Sequence, residues 1–258
     1  MNQLPLRRRP LLVALLNLWR DIVALVLPSD CVGCGRNDRV LCNGCQRELA
    51  SLARDPPVTI TNLQLPSTGI AKLAVVSACE YDGLVRRLIT AIKHSDQPGL
   101  AKYLGPLLAA TIDPAIGAAP HADHPSGGPG HPPSDPPPTV FVPVPSRARR
   151  ERERGYRHVE LLLRHAGVPR YAISRAVVTA RGRGPQVGQD IASRHKNAAK
   201  LRIRSREVRW LRDTDATVMI VDDITTTGAS IIAVYQALTR AGIDANAAVV
   251  VARVPRHE

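Results

Sequence analysis

The chain has 258 residues, of which 44% are hydrophobic, 22% charged and 3% aromatic, with a formal net charge of +13. That length holds one sizeable core and a small appendage, and the composition is that of a globular protein. So few aromatic rings argue against base stacking as the main mode of any nucleic-acid binding.

The charge is uneven along the chain. Between Phe141 and Arg212 stand 19 Lys and Arg against 5 Asp and Glu, so the remainder is close to neutral. A basic half of this kind suits phosphorylated ligands or nucleic acid. An arginine-rich solvated surface is the plainer alternative.

The N-terminal stretch opens with Arg7, Arg8 and Arg9 and then an apolar run that Asn17, Arg20 and Asp21 interrupt. The run falls short of the roughly 20 residues that span a bilayer, and no small-residue cleavage site follows it. Apolar residues at 11, 15, 18, 22, 25 and 26 keep helical spacing. The expectation over 1–28 is an amphipathic helix that docks on the body of the protein, with no transmembrane segment. A surface membrane anchor is the second reading.

Next comes CVGCGRNDRVLCNGC, with Cys31, Cys34, Cys42 and Cys45 as two Cys-x-x-Cys pairs. Four thiolates on two tight turns match tetrahedral zinc, so 29–50 is expected to be a zinc ribbon. With every position taken by cysteine, no place remains for a catalytic water, and the metal is structural. Two disulfides are the alternative, disfavoured in the cytoplasm, where a chain without an export signal is expected. Cys79, alone in an apolar run, reads as a small buried hydrophobe.

From 70 to 258 apolar strand patterns alternate with helical ones. Strands are expected at 73–79, 140–144, 177–179, 218–221 and 247–252, and helices at 84–93, 100–110, 151–165 and 230–241. This alternation predicts an α/β fold, a mostly parallel sheet flanked by helices. Residues 114–138 interrupt it with nine of the 22 prolines. They are expected to form a disordered insert with neither helix nor central strand. Its histidines, His121, His124 and His131, read as solvated.

Near the C-terminus the chain reads VMIVDDITTTGAS. The expectation is a strand ending at Val221, then a turn and a loop leading into a helix near Ser230. In open α/β sheets, ligands bind beyond the carboxyl ends of the strands. Helix N-terminal N–H groups favour a phosphate, Thr225, Thr226 and Thr227 add hydroxyl donors, and Gly228 lets the backbone come close. Asp222 and Asp223 can accept from vicinal ribose hydroxyls or hold Mg²⁺ through water. A ribose 5-phosphate fits these residues better than a nucleoside triphosphate, and no G-x-x-x-x-G-K-[ST] is present.

VMIVDDITTTGAS closely resembles the phosphoribosyl pyrophosphate (PRPP) motif of type I phosphoribosyltransferases. FVPVPSRARRERERGY (141–156) and RGRGPQVGQDIASRHKN (181–197) resemble segments of the ComF family. The four-cysteine ribbon and YDGLVRRLITAIKH (81–94) fit the same family. The chain departs from the family's usual pattern at Arg157, Gln189 and His94.

The resemblance implies a type I phosphoribosyltransferase-like domain, with the ribbon as its N-terminal companion. It implies PRPP as donor and Mg²⁺ as cofactor, with Asp222 and Asp223 as catalytic carboxylates. Thr225, Thr226, Thr227, Gly228, Ala229 and Ser230 would bind PRPP. Arg147, Arg149 and Arg150 would receive the pyrophosphate, and Arg181, Arg183 and Lys196 would sit on a loop closing over it. Both basic segments also read as solvated surface, and Lys93 as a site residue or a surface lysine. The acceptor is not identified. The family's association with DNA uptake opens two further readings, a single-stranded DNA-binding competence module and a PRPP-sensing regulator. A cytoplasmic location is expected, with a peripheral place on the inner face of the membrane as the alternative.

Overall fold

The computed structural model describes residues 30–37, 39–65, 72–118, 138–146, 148–179, 201–214 and 216–255. The expected N-terminal helix and residues 119–137 of the Pro-rich interruption lie outside them. The chain divides into two compact units, Met1–Glu48 and Leu49–Glu258.

In the first unit a bridge joins Asp30 to Asn37 around the first Cys-x-x-Cys turn. The second pair leads into helix α1 (Asn43–Arg54), which continues into the second unit.

The second unit is built on a five-stranded sheet. Its strands are β1 (Thr59–Gln64), β2 (Lys72–Glu80), β3 (Thr139–Pro143), β6 (Thr217–Thr225) and β7 (Ala247–Arg253), in the order β1-β2-β7-β6-β3. The four strands from β2 to β3 run parallel, and β1 lies antiparallel on the β2 edge. A sheet covered on both faces needs near-continuous apolar strands, which is why β2, β6 and β7 read KLAVVSACE, TVMIV and AAVVVA. A separate antiparallel ribbon joins β4 (Val177–Thr179) to β5 (Leu201–Ile203).

The helices are α2 (Gly83–His94), α3 (Ala101–Ala109), α4 (Ile112–Ala118), α5 (Ala148–Arg154), α6 (His158–His165), α7 (Ser205–Asp213) and α8 (Ala229–Arg240). Side chains alternate between the faces of a strand. On β6, Val218 and Ile220 pack with Ile231, Val234 and Leu238 of α8 in one cluster. Met219 and Val221 are buried outside that cluster. Helix α6 packs against β6, and α3 crosses α6 where Gly105 leaves room for the His165 backbone.

Several elements differ from the sequence expectation, each for a local reason. The helix expected over 151–165 is two helices, because Gly155 takes φ +73° and ends α5. The strand expected to stop at Val221 continues through both aspartates to Thr225, paired with β7 as far as Arg253. The first residues of the Pro-rich interruption are helical, since Pro114 stands in the first turn of α4. A helix N-terminus needs no N–H there. Strands β1 and β5 were not anticipated, and β1 brings residues ahead of position 70 into the sheet.

Candidate functional site

In the ribbon, the four cysteine sulfurs lie within 4.8 Å of one another, with Cys31 and Cys45 at 3.8 Å and Cys34 and Cys42 at 3.7 Å. A tetrahedron with metal–sulfur bonds of about 2.3 Å has edges of about 3.8 Å, so the separations suit a tetrahedral metal such as zinc. A disulfide requires sulfurs about 2.05 Å apart, and all four cysteines are free. Burial pushes the Cys31 thiol up, but backbone hydrogen bonds from Cys42, Cys34 and Gly33 bring it down to about 6. The Cys42 N–H donates to Cys31 Sγ at 3.3 Å. The site thus favours at least one thiolate, the form that binds metal. Purified protein is expected to carry about one zinc by elemental analysis, and Cys45→Ser to lose most of it. Metal-free wild-type protein would overturn this assignment.

The second site lies at the carboxyl ends of β3 and β6. The pleat sends the two adjacent aspartates to opposite faces of the sheet. Asp223 shares the face of Met219 and Val221. Its Oδ2 lies 2.8 Å from Lys93 Nζ, at the end of α2, and 3.1 Å from His158 Nε2, at the start of α6. Its Oδ1 accepts from Ile224 N at 2.8 Å. Burial works to raise the pKa of this carboxyl, which is 3% exposed. His158 and Lys93 outweigh burial and hold it well below the usual range.

Asp222 shares the face of Val218 and Ile220 and is half-buried. Its Oδ1 accepts from Asp223 N at 2.9 Å, and among the described residues no cation forms an ion pair with it. Burial, then the charge of Asp223, pushes its carboxyl well above the usual range. One ligand atom each from His158, Asp222 and Asp223 falls within 4.8 Å of the others, a set able to hold a cation.

Thr225 closes β6 with its Oγ1 buried and unpartnered among the described residues. Thr226, Thr227, Ala229 and Ser230 are exposed. Gly228 is buried at φ +75°, and a Cβ there would stand 2.5 Å from the Leu63 methyls of β1. It is the N-cap of α8 and has no side chain to cap it, while Thr227 Oγ1 accepts from Ala229 N at 3.4 Å. First-turn N–H groups without a side-chain partner are open to an anion.

A cavity of about 820 Å³ adjoins this end of the sheet. Pro143, Val144, Pro145 and Ser146 line it after β3, with the α5 face that carries Ala148, Glu151 and Arg152. Tyr156 and His158 both line the cavity, and His158 also pairs with Asp223. Tyr156 donates through its hydroxyl to the Ile92 carbonyl at 2.5 Å, one residue from Lys93. His158 Nδ1 lies 3.3 Å from Ser146 Oγ and 3.1 Å from Arg154 Nη1.

The structure therefore brings Asp222, Asp223 and the 225–230 loop to one sheet end. Arg149 pairs with Glu153 at 2.6 Å and is 73% exposed, and neither it nor Arg150 is among the residues lining the cavity. Arg147, Arg181, Arg183 and Lys196 lie outside the described residues. Sequence reasoning left Lys93 undecided and did not single out His158. The one signal for His158 was its place two residues after the aromatic of the Arg-Gly-Tyr segment.

Among the described residues no helix is long and apolar enough to cross a membrane. No protein-family model and no curated protein matches the chain.

Proposed function

We propose that the α/β unit binds PRPP with Mg²⁺ and acts as a phosphoribosyltransferase of the ComF type. One observation carries the reading. Beside two carboxylates at a strand end, an exposed Thr-Gly loop enters a helix whose N-cap is Gly228, so that only Thr227 Oγ1, at 3.4 Å from Ala229 N, reaches its first N–H groups. The loop and the first-turn N–H groups suit the 5′-phosphate, and Asp222 suits the ribose hydroxyls and Mg²⁺. The fit of the cation rests on the donor set of Asp222 and Asp223. Bound there, Mg²⁺ would supply positive charge to the leaving pyrophosphate.

The division of labour between the aspartates is specific. Asp223 is held in place by Lys93 and His158, and the half-buried Asp222 is the carboxylate left for the ligand. In transfer from C1 of the ribose, the protein acts by positioning and by stabilising charge on the leaving group. PRPP sensing without turnover would use the same pocket. A role in DNA uptake and single-stranded DNA binding would instead draw on the basic half, with binding that falls steeply as salt rises.

Calorimetry with PRPP plus Mg²⁺, ribose 5-phosphate and inorganic phosphate tests the reading. Thr227→Val removes a hydroxyl beside the phosphate, a hydrogen bond to a charged group worth roughly 1.5–3 kcal/mol. It is expected to weaken all three ligands about tenfold or more. Asp222→Asn keeps the shape but removes the carboxylate charge that a bound cation would draw out. It is expected to reduce the Mg²⁺ dependence of PRPP binding while phosphate alone still binds. If the two variants lose the three ligands equally, or wild type binds none of them, the phosphoribosyl reading fails.

A further inference from the structure

The cavity beyond the sheet end has walls of marked charge. Five arginines line it, Arg152, Arg157, Arg175, Arg202 and Arg204, against the two glutamates Glu151 and Glu160. Both glutamates are already engaged. Arg157 pairs with Glu151 at 3.2 Å and with Glu160 at 3.0 Å, and Arg175 adds a two-pronged pair to Glu160 at 2.7 and 2.5 Å. Among the described residues, no carboxylate pairs with Arg152, Arg202 or Arg204.

The β4–β5 ribbon holds two of these three. Leu201 and Ile203 turn toward the apolar core, so Arg202, between them, turns away from it, opposite Val178. Arg204 follows at the strand end, fixed by its N–H bond to the Ala176 carbonyl at 2.9 Å. Two aromatic rings stand among the described lining residues: Tyr156, whose hydroxyl is spent on Ile92, and the imidazole of His158, which pairs with Asp223. A cavity of this size admits a small molecule. Its wall offers guanidinium groups for an anion and little stacking surface for a neutral base.

We propose that this cavity takes the acceptor of the transfer reaction, and that the acceptor is a small heterocycle bearing a carboxylate, held by Arg202 and Arg204. The proposal rests on the phosphoribosyl reading above. The pyrophosphate of the donor has the same affinity for guanidinium groups, so the test must separate the two anions.

The full chain is titrated by calorimetry with orotate, nicotinate, adenine, hypoxanthine, pyrophosphate and ribose 5-phosphate, each alone. The same set is run on Arg202→Ala/Arg204→Ala, on Arg202→Gln in case the double variant does not fold, and on Arg209→Ala. Arg209 lies exposed on α7, outside the cavity wall. At least one carboxylate is expected to bind wild type more tightly than either purine. It should weaken tenfold or more in the double variant, several-fold in Arg202→Gln and less than twofold in Arg209→Ala. Three results overturn the proposal: neither carboxylate binding, a purine binding more tightly than both, or arginine variants that weaken pyrophosphate alone. Failure of wild type to bind ribose 5-phosphate sinks the donor reading separately, because carboxylate binding is read in its own titration.

Discussion

Lys93→Met is expected to lower the free energy of unfolding by about 3 kcal/mol, because it strips a cation from a buried carboxylate. Asp223 is 3% exposed and Lys93 22%, with 2.8 Å between the charged atoms. The methionine preserves most of the side-chain volume, so lost packing contributes little. His158 stays at 3.1 Å and limits the damage. Adding Asp223→Asn is expected to recover most of the loss, since an amide needs no counter-charge. Urea denaturation of the two single variants and the double variant measures this as a coupling energy. A loss below about 0.5 kcal/mol in Lys93→Met would mean that solvent screens the pair, as at an exposed ion pair.

Gly105→Ala carries a comparable expected cost, about 2–3 kcal/mol, for a steric reason. A Cβ at this position would stand 2.4 Å from the His165 carbonyl carbon and 2.6 Å from its oxygen. These atoms belong to the backbone of α6, so relief requires moving the helix that also carries His158. Gly117, in the exposed part of α4, has nothing within 4 Å of its Cβ position and no positive φ. Gly117→Ala is therefore expected to stabilise by up to about 1 kcal/mol through helix propensity. Thermal or chemical unfolding of the two variants should show opposite signs. Matching effects would mean that α3 and α6 do not meet closely at Gly105.

How far the fold could be read in advance depended on how much of each signal was local. Strands β2, β6 and β7 announce themselves by apolar runs, and α8 by its spacing after the Thr-Gly loop. Strand β1 does not, because TITNLQ buries only Leu63 and shows an ordinary polar edge. Strand β5 is three residues long, with an arginine in the middle. Gly155 stands inside a helical pattern, where one glycine costs only about 1 kcal/mol, so its positive φ left no trace in the sequence. The paired aspartates and the threonine loop were legible as a site because they are contiguous. The partners of Asp223 were not, since Lys93 and His158 lie 130 and 65 residues away and meet it only through the packing of α2 and α6 on β6. For the cavity, only its basic character could be read in advance.

The antiparallel strand β1 has a consequence for how the protein can be divided. It covers the open hydrogen-bonding edge of β2, whose seven central residues are all buried, and its Leu63 roofs Gly228 in the Thr-Gly loop. A fragment beginning at position 70 would keep every residue of the proposed ligand site yet expose a long apolar edge, the kind of surface on which chains stack into aggregates. It would also remove the side chains that bear on Gly228. The shortest autonomous piece of the α/β unit therefore starts ahead of Thr59, so that β1 stays on the sheet it edges.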